Sequence, residues 1–142
     1  MGTYIGVKCV KASPMTFSGL AGYKVVYPDG YESWSPKKVF ESAYFPIEQE
    51  DSLTQKDIEN FLDRSEISSY QGDPKTTIVR VLTPTGFVEW DFASCVNPEN
   101  YNEDIGRDIA LAHIKDRIWK MLGFVLQWGA YGLNDMKAKT EK

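Results

Sequence analysis

The residues of this chain that could do chemistry are few and unevenly spread. The densest polar stretch, "SCVNPENYNEDIG" (94–106), sets Asn97, Asn100 and Asn102 within six residues, with Pro98 and Tyr101 between them. A carboxamide donates and accepts at once, as ribose hydroxyls and base edges require. The stretch also joins a strand-like run ending at Cys95-Val96 to a helical run beginning near Glu103. Asn100 or Asn102 could cap that helix, and Asn100 with Glu103 has capping-box spacing. One cap does not use three amides, so a ligand role stands beside the capping role. A helix entrance further offers free N–H groups and partial positive charge, which suits phosphate.

Trp90 could stack on a nucleobase, a contact worth about 1–3 kcal/mol per base. The commoner fate of such a residue is a core position on an apolar strand face. Arg80, the one charge in "TIVRVL", either snorkels from an edge strand or lines a pocket. Arg107, Lys115, Arg117 and Lys120 lie along the last helical run and could meet phosphates, although helix charges usually form a solvated face. His113 is the single histidine and is expected to be partly buried rather than catalytic. It has no assignable orienting acid, and no Ser or Cys sits in a nucleophile motif. CxxC, HExxH and Walker-type glycine patterns are absent. A zinc centre of His and Cys cannot be assembled, whereas Mg²⁺ on scattered carboxylates stays open. The expectation is a binding protein with no catalytic residue, metal or cofactor.

The 142 residues suit one domain or two very small ones, and 42% hydrophobic with 25% charged residues is globular composition. A net charge of −4 disfavours DNA or RNA binding through phosphate neutralisation. No signal core or membrane-spanning run is present, and Gly6 stands where a myristoylation motif has Ser or Thr. An intracellular protein is expected, with Cys9 and Cys95 as buried thiols rather than a disulfide.

Several elements would position these residues. "YIGVKCVKA" (4–12) alternates as a strand, with Ile5, Val7 and Cys9 on one side. "GYKVVYPDGYESW" (22–34) reads as a hairpin around Pro28-Asp29-Gly30. Ser35 should cap and Pro36 open a short helix with Val39, Phe40 and Ala43 as its apolar stripe. The acidic "EQEDS" (48–52) marks the seam between a front module (1–47) and a second region (48–142), the whole making one compact unit. "TQKDIENFLDR" is helical with Thr54 as cap, and "SEISSYQGDPK" (65–75) reads as a polar, mobile, turn-rich stretch. "TTIVRVLT" and "FVEWDFASCV" form a second hairpin around Thr83-Pro84-Thr85-Gly86. In its second arm Phe87, Glu89, Asp91 and Ala93 share one face; Val88, Trp90, Phe92 and Ser94 share the other. From Glu103 to about Val125 runs the longest helix, its seam begun by Ile105, Ile109 and Ala112 and continued by Ile114, Ile118, Met121, Leu122 and Val125. Glu103 and Asp104 complement its dipole, Gly129 and Gly132 punctuate its end, and "NDMKAKTEK" is a fraying tail. The fold class is α+β: an antiparallel β-sheet of hairpins packed against a long C-terminal α-helix, plus short helices.

From roughly residue 53 to 127 the chain resembles a family of small phage proteins. The carrying pattern is the TPTGF hairpin, Cys95-Val96-Asn97-Pro98-Glu99-Asn100-Tyr101, Ile105-Gly106, then Ile118-Trp119 through Gly123-Phe124. That family includes the Thoeris anti-defence 1 proteins, which this chain resembles in size and layout. The resemblance implies a sponge: a protein that sequesters 1″–3′ gcADPR, the cyclic ADP-ribose signal of Thoeris TIR enzymes, in the host cytoplasm without cleaving it. Related members also bind cyclic oligonucleotides of CBASS defence, cyclic trinucleotides among them, and dimers assemble to hexamers with the ligand site shared between protomers. Carried over by position, the stacking aromatic falls on Trp90, the ribose-contacting pair on Asn100 and Asn102, and the helix cation on Arg117. Trp90 and Arg117 would sandwich the base. Asp is common where Asn102 stands, so a charge is lost there, and a further loop Arg has only Arg64 or Lys75 as counterpart. The front end resembles a short module common in phages of Gram-positive hosts. Outside the resemblance, a phosphodiesterase degrading a cyclic nucleotide signal and a phage protein-interaction module are the alternatives.

Overall fold

The structure, a computed structural model, describes residues 1–133. The expected tail 134–142 lies outside them. The fold is α+β: two three-stranded antiparallel sheets, a long helix and two shorter ones. The described residues divide into two compact units, 1–52 with 124–133, and 53–123.

In the first unit, β1 (Lys11–Pro14), β2 (Gly22–Val26) and β3 (Glu32–Pro36) form a meander in that order. Gly30 takes φ +89° in the Pro28-Asp29-Gly30 turn, as the sequence anticipates. The strand expected over 4–12 is not formed: residues 1–10 have no ladder, and pairing begins at Lys11 opposite Val26. β2 is five residues long and consumed by that register, so the alternating residues upstream have nothing to pair with. Ser35 does not cap the next helix, because it pairs with Tyr23 in the ladder and the strand runs on through Pro36. α1 (Lys37–Ala43) therefore starts without a side-chain cap. Val39 is exposed rather than part of a stripe, while Phe40 stacks between Tyr23 and Tyr44 at 4.4 and 4.8 Å.

In the second unit α2 (Gln55–Asp63) has the expected Thr54 cap, completed as a capping box by Asp57. The stretch expected to be a mobile loop is instead β4 (Glu66–Asp73). Its polar side chains have low strand propensity, yet every residue from Glu66 to Gln71 pairs with β5 (Thr76–Leu82). Tertiary pairing outweighs propensity on a strand with one wet face. β6 (Val88–Ser94) pairs with the other side of β5, and Gly86, φ +88°, closes the hairpin between them. The core of this unit is Ile58 and Phe61 of α2, Val79 and Val81 of β5, and Ala110, Ile114 and Ile118 of α3 (Glu103–Tyr131).

The buried ridge of α3 is therefore Ala110, Ile114 and Ile118, extended by Gly106; Ile105 and Ile109, expected to begin the seam, are 60% and 47% exposed. Gly106 sets this rotation. A Cβ there would lie 2.4 Å from Thr77 Oγ1 and 2.8 Å from Thr77 Cβ, so only glycine lets the helix entrance approach β5 so closely. Thr77 is fully buried and accepts or donates a 2.9 Å hydrogen bond with Tyr101, fastening the preceding loop to the sheet.

Candidate functional site

β6 carries opposite chemistry on its two faces, because successive side chains point to opposite sides of a sheet. The face toward α3 bears Glu89 and Asp91, and the outer face bears Trp90 and Phe92. The two-face grouping of the sequence holds, but the apolar face is the open one: Trp90 is 51% and Phe92 62% exposed. Trp90 is thus not a core tryptophan. The reason is a long-range partner. Arg117 donates from Nε to Glu89 Oε1 at 3.2 Å and from Nη1 to Asp91 Oδ2 at 2.9 Å. Its Nη2 donates to the Trp90 carbonyl at 2.9 Å. Two carboxylates can face the helix because one guanidinium satisfies both.

Burial alone would push the Asp91 carboxyl up. The Arg117 hydrogen bond and charge, the Phe92 amide and nearby His113 outweigh it and hold Asp91 below the usual carboxylate range. His113 Nδ1 lies 3.4 Å from Asp91 Oδ2, and its side chain is 56% exposed, more open than expected. The edge of β6 is closed by the same groups: Trp90 O takes Arg117, and the Phe92 N–H is taken by Asp91 Oδ1 at 2.7 Å.

On the outer face Arg80 sits in the central strand, not at an edge, directly opposite Trp90 on β6 and Ser68 on β4. Its guanidinium carbon lies 5.7 Å from the centre of the Trp90 ring, within cation–π range. Ile78, Leu82, Tyr70 and Val88 share this face by register.

The loop between β6 and α3 separates its three amides by task. Asn97 Oδ1 accepts from the Glu99 N–H at 3.0 Å and caps a 3₁₀ turn over Pro98–Asn100. Asn102 Oδ1 accepts from the Ile105 N–H at 3.0 Å and its carbonyl accepts from Gly106, so Asn102, not Asn100, caps α3. The Asn100 carboxamide makes no hydrogen bond to any described residue. Cys95 donates to the Asn97 carbonyl at 3.2 Å; both cysteines are free thiols of intermediate burial.

Of the four residues singled out by position, Trp90, Asn100, Asn102 and Arg117 all fall in the second unit. Trp90 projects from the outer face of β6, while Arg117 is held by the two inner-face carboxylates and the Trp90 carbonyl at the strand edge. Arg64 is the C-cap residue of α2, and Lys75 is exposed in the β4–β5 turn. Arg107, Lys115 and Lys120 lie on α3, where Arg107 and Lys120 are exposed. Glu89 and Asp91 were missed as partners of Arg117; their shared face on β6 was the available signal. Among the described residues no three His, Cys, Asp or Glu side chains form a metal-binding group, and no helix is long and apolar enough to cross a membrane.

A three-stranded sheet with one face on a long helix and the other open and aromatic defines a small α+β domain. The model of the phage protein (N4 Gp49/phage Sf6 gene 66) family matches residues 53–129, and the chain belongs to that family. The match takes in all four residues just named. No curated protein and no solved structure matches the chain.

Proposed function

We propose that this chain is an anti-defence sponge of the Thoeris anti-defence 1 kind, binding 1″–3′ gcADPR from Thoeris TIR proteins and withholding it from its effector without cleavage. The observation that carries this reading is Trp90: a half-exposed indole on an open sheet face, with a guanidinium beside its ring. Such a pairing suits a ligand that joins an aromatic base to phosphates. The base stacks on Trp90, while Asn100 and the unused NH₂ of Asn102 read ribose hydroxyls. Arg117 reaches the base from a second protomer, in keeping with a homo-oligomer of dimers assembling to a hexamer. Cyclic trinucleotides of CBASS defence are further ligands of the same chemistry, and the site of action is the host cytoplasm. A sponge works through slow release rather than through a general base. Titration calorimetry with 1″–3′ gcADPR, a cyclic adenine trinucleotide and ADP-ribose tests it. Heat with the cyclic signal at submicromolar affinity is expected; no heat with any of the three refutes it.

A further inference from the structure

The two arginines near Trp90 are not equivalent, and their surroundings divide the recognition of a nucleotide between them. Arg117 is heavily committed, with three of its five N–H donors bonded. All three of its nitrogens are engaged by acceptors, and two of those acceptors are the carboxylates of Glu89 and Asp91. The cluster of one guanidinium and two carboxylates carries formal charge −1, so a phosphate approaching it meets net repulsion. Besides two leftover N–H donors beside those carboxylates, this arrangement offers a ligand the flat face of a guanidinium held still by three in-plane bonds. That face suits a neutral base and not an anion.

Arg80 is the reverse case. It projects from the central strand onto the open face, because Val79 and Val81 on either side of it are fully buried and point inward. It has no carboxylate partner among the described residues. Its cross-strand neighbours are a hydroxyl, Ser68, and the Trp90 indole. A cation with no carboxylate in contact, although Glu66 shares its face by register, next to a stacking surface and a hydroxyl donor has the composition of a phosphate subsite beside a base platform.

We propose that Arg80 is the phosphate-recognising residue of the Trp90 face, and that Glu89 and Asp91 confine Arg117 to base stacking. The ligand class is a nucleotide whose phosphates lie on the sheet side of its base, with Ser68 as second donor. The inference deepens the binding reading above and rests on it only for the roles of Trp90 and Arg117.

The test uses the intact chain with two commercial probes, adenosine and linear ADP-ribose, followed by the indole N–H signals in NMR and by calorimetry across a salt series. Wild type is expected to bind both, with ADP-ribose affinity falling as salt rises. Arg80→Gln should weaken ADP-ribose about tenfold, flatten its salt dependence and leave adenosine unchanged. Arg80→Lys should restore the salt dependence. Arg117→Gln should weaken both probes by the same factor and keep the salt dependence. Wild type that binds neither probe, an Arg80→Gln protein with unaltered salt dependence, or equal loss of both probes in that variant would each overturn the assignment. Arg80-dependent ADP-ribose binding by a protein that ignores 1″–3′ gcADPR would remove the named signal and leave Arg80's role standing. Tight gcADPR binding indifferent to Arg80→Gln would do the opposite.

Discussion

Arg117→Ala separates the structural role of the α3–β6 cluster from its binding role. The change removes three hydrogen bonds and leaves Glu89 and Asp91, with side chains 17% and 18% exposed, without their shared guanidinium. Removing one partner of a fully buried pair costs about 3–5 kcal/mol, whereas an exposed pair is worth about 0.2–1 kcal/mol. The Arg117 side chain is 40% exposed and screened by water, which places the loss at about 2 kcal/mol at pH 7. The pH dependence follows from Asp91, whose carboxyl the folded chain holds below its ordinary value. A group depressed on folding stabilises above its unfolded pKa, about 3.9 for Asp, and loses that contribution as pH falls through the folded value. The deficit of the variant should therefore be full at pH 7 and shrink below about pH 4. Urea denaturation of both proteins across pH 3 to 7 reads it. A deficit of equal size at both ends, or none at pH 7, would rule out the Arg117–Asp91 pair as its source.

The remaining expectations concern the same unit. Gly106→Ala gains about 1 kcal/mol of helix propensity but drives a Cβ into Thr77, so a net loss of about 1–2 kcal/mol in denaturation is expected; unchanged or higher stability would show that the helix entrance moves freely. Asn102→Ala removes the cap of α3 and should cost about 1 kcal/mol in the same assay, whereas Asn100→Ala should leave stability alone and act only on ligand affinity. Trp90→Ala should weaken binding of 1″–3′ gcADPR by about tenfold or more in calorimetry, through lost stacking, while the melting temperature moves little because the ring is half in water.

What was legible in the sequence was what local chemistry determines. The Pro28-Asp29-Gly30 and Thr83-Pro84-Thr85-Gly86 turns lie where hairpins reverse, and Thr54 caps α2 as its sequence position suggests. The α+β class follows from those hairpins and the long helix. The readings that failed depend on partners distant in sequence. Residues 4–10 alternate like a strand yet have no strand to pair with, and the polar run at 66–73 is a strand because β5 provides one. The alternation of β6 gave the correct two faces but not which of them is open. That is decided by Arg117, 26 and 28 positions beyond Asp91 and Glu89. The same limit applies to the entrance of the helix: Ile114 and Ile118 are buried as expected, but Gly106 and Ala110, not Ile105 and Ile109, carry the ridge toward Thr77. Arg80 was visible as an isolated charge. Its place in the central strand beside Trp90 became readable only with the register.

A sponge, as proposed for this chain, holds its nucleotide signal and returns it unaltered. The most direct measurement incubates the protein with a limiting amount of 1″–3′ gcADPR, filters away free ligand, heat-denatures the retained protein and analyses what is released by mass spectrometry. Depletion of the free signal followed by recovery of intact 1″–3′ gcADPR is the predicted result. Release of linear or fragmented product, or a signal that stays in the filtrate throughout, would contradict it.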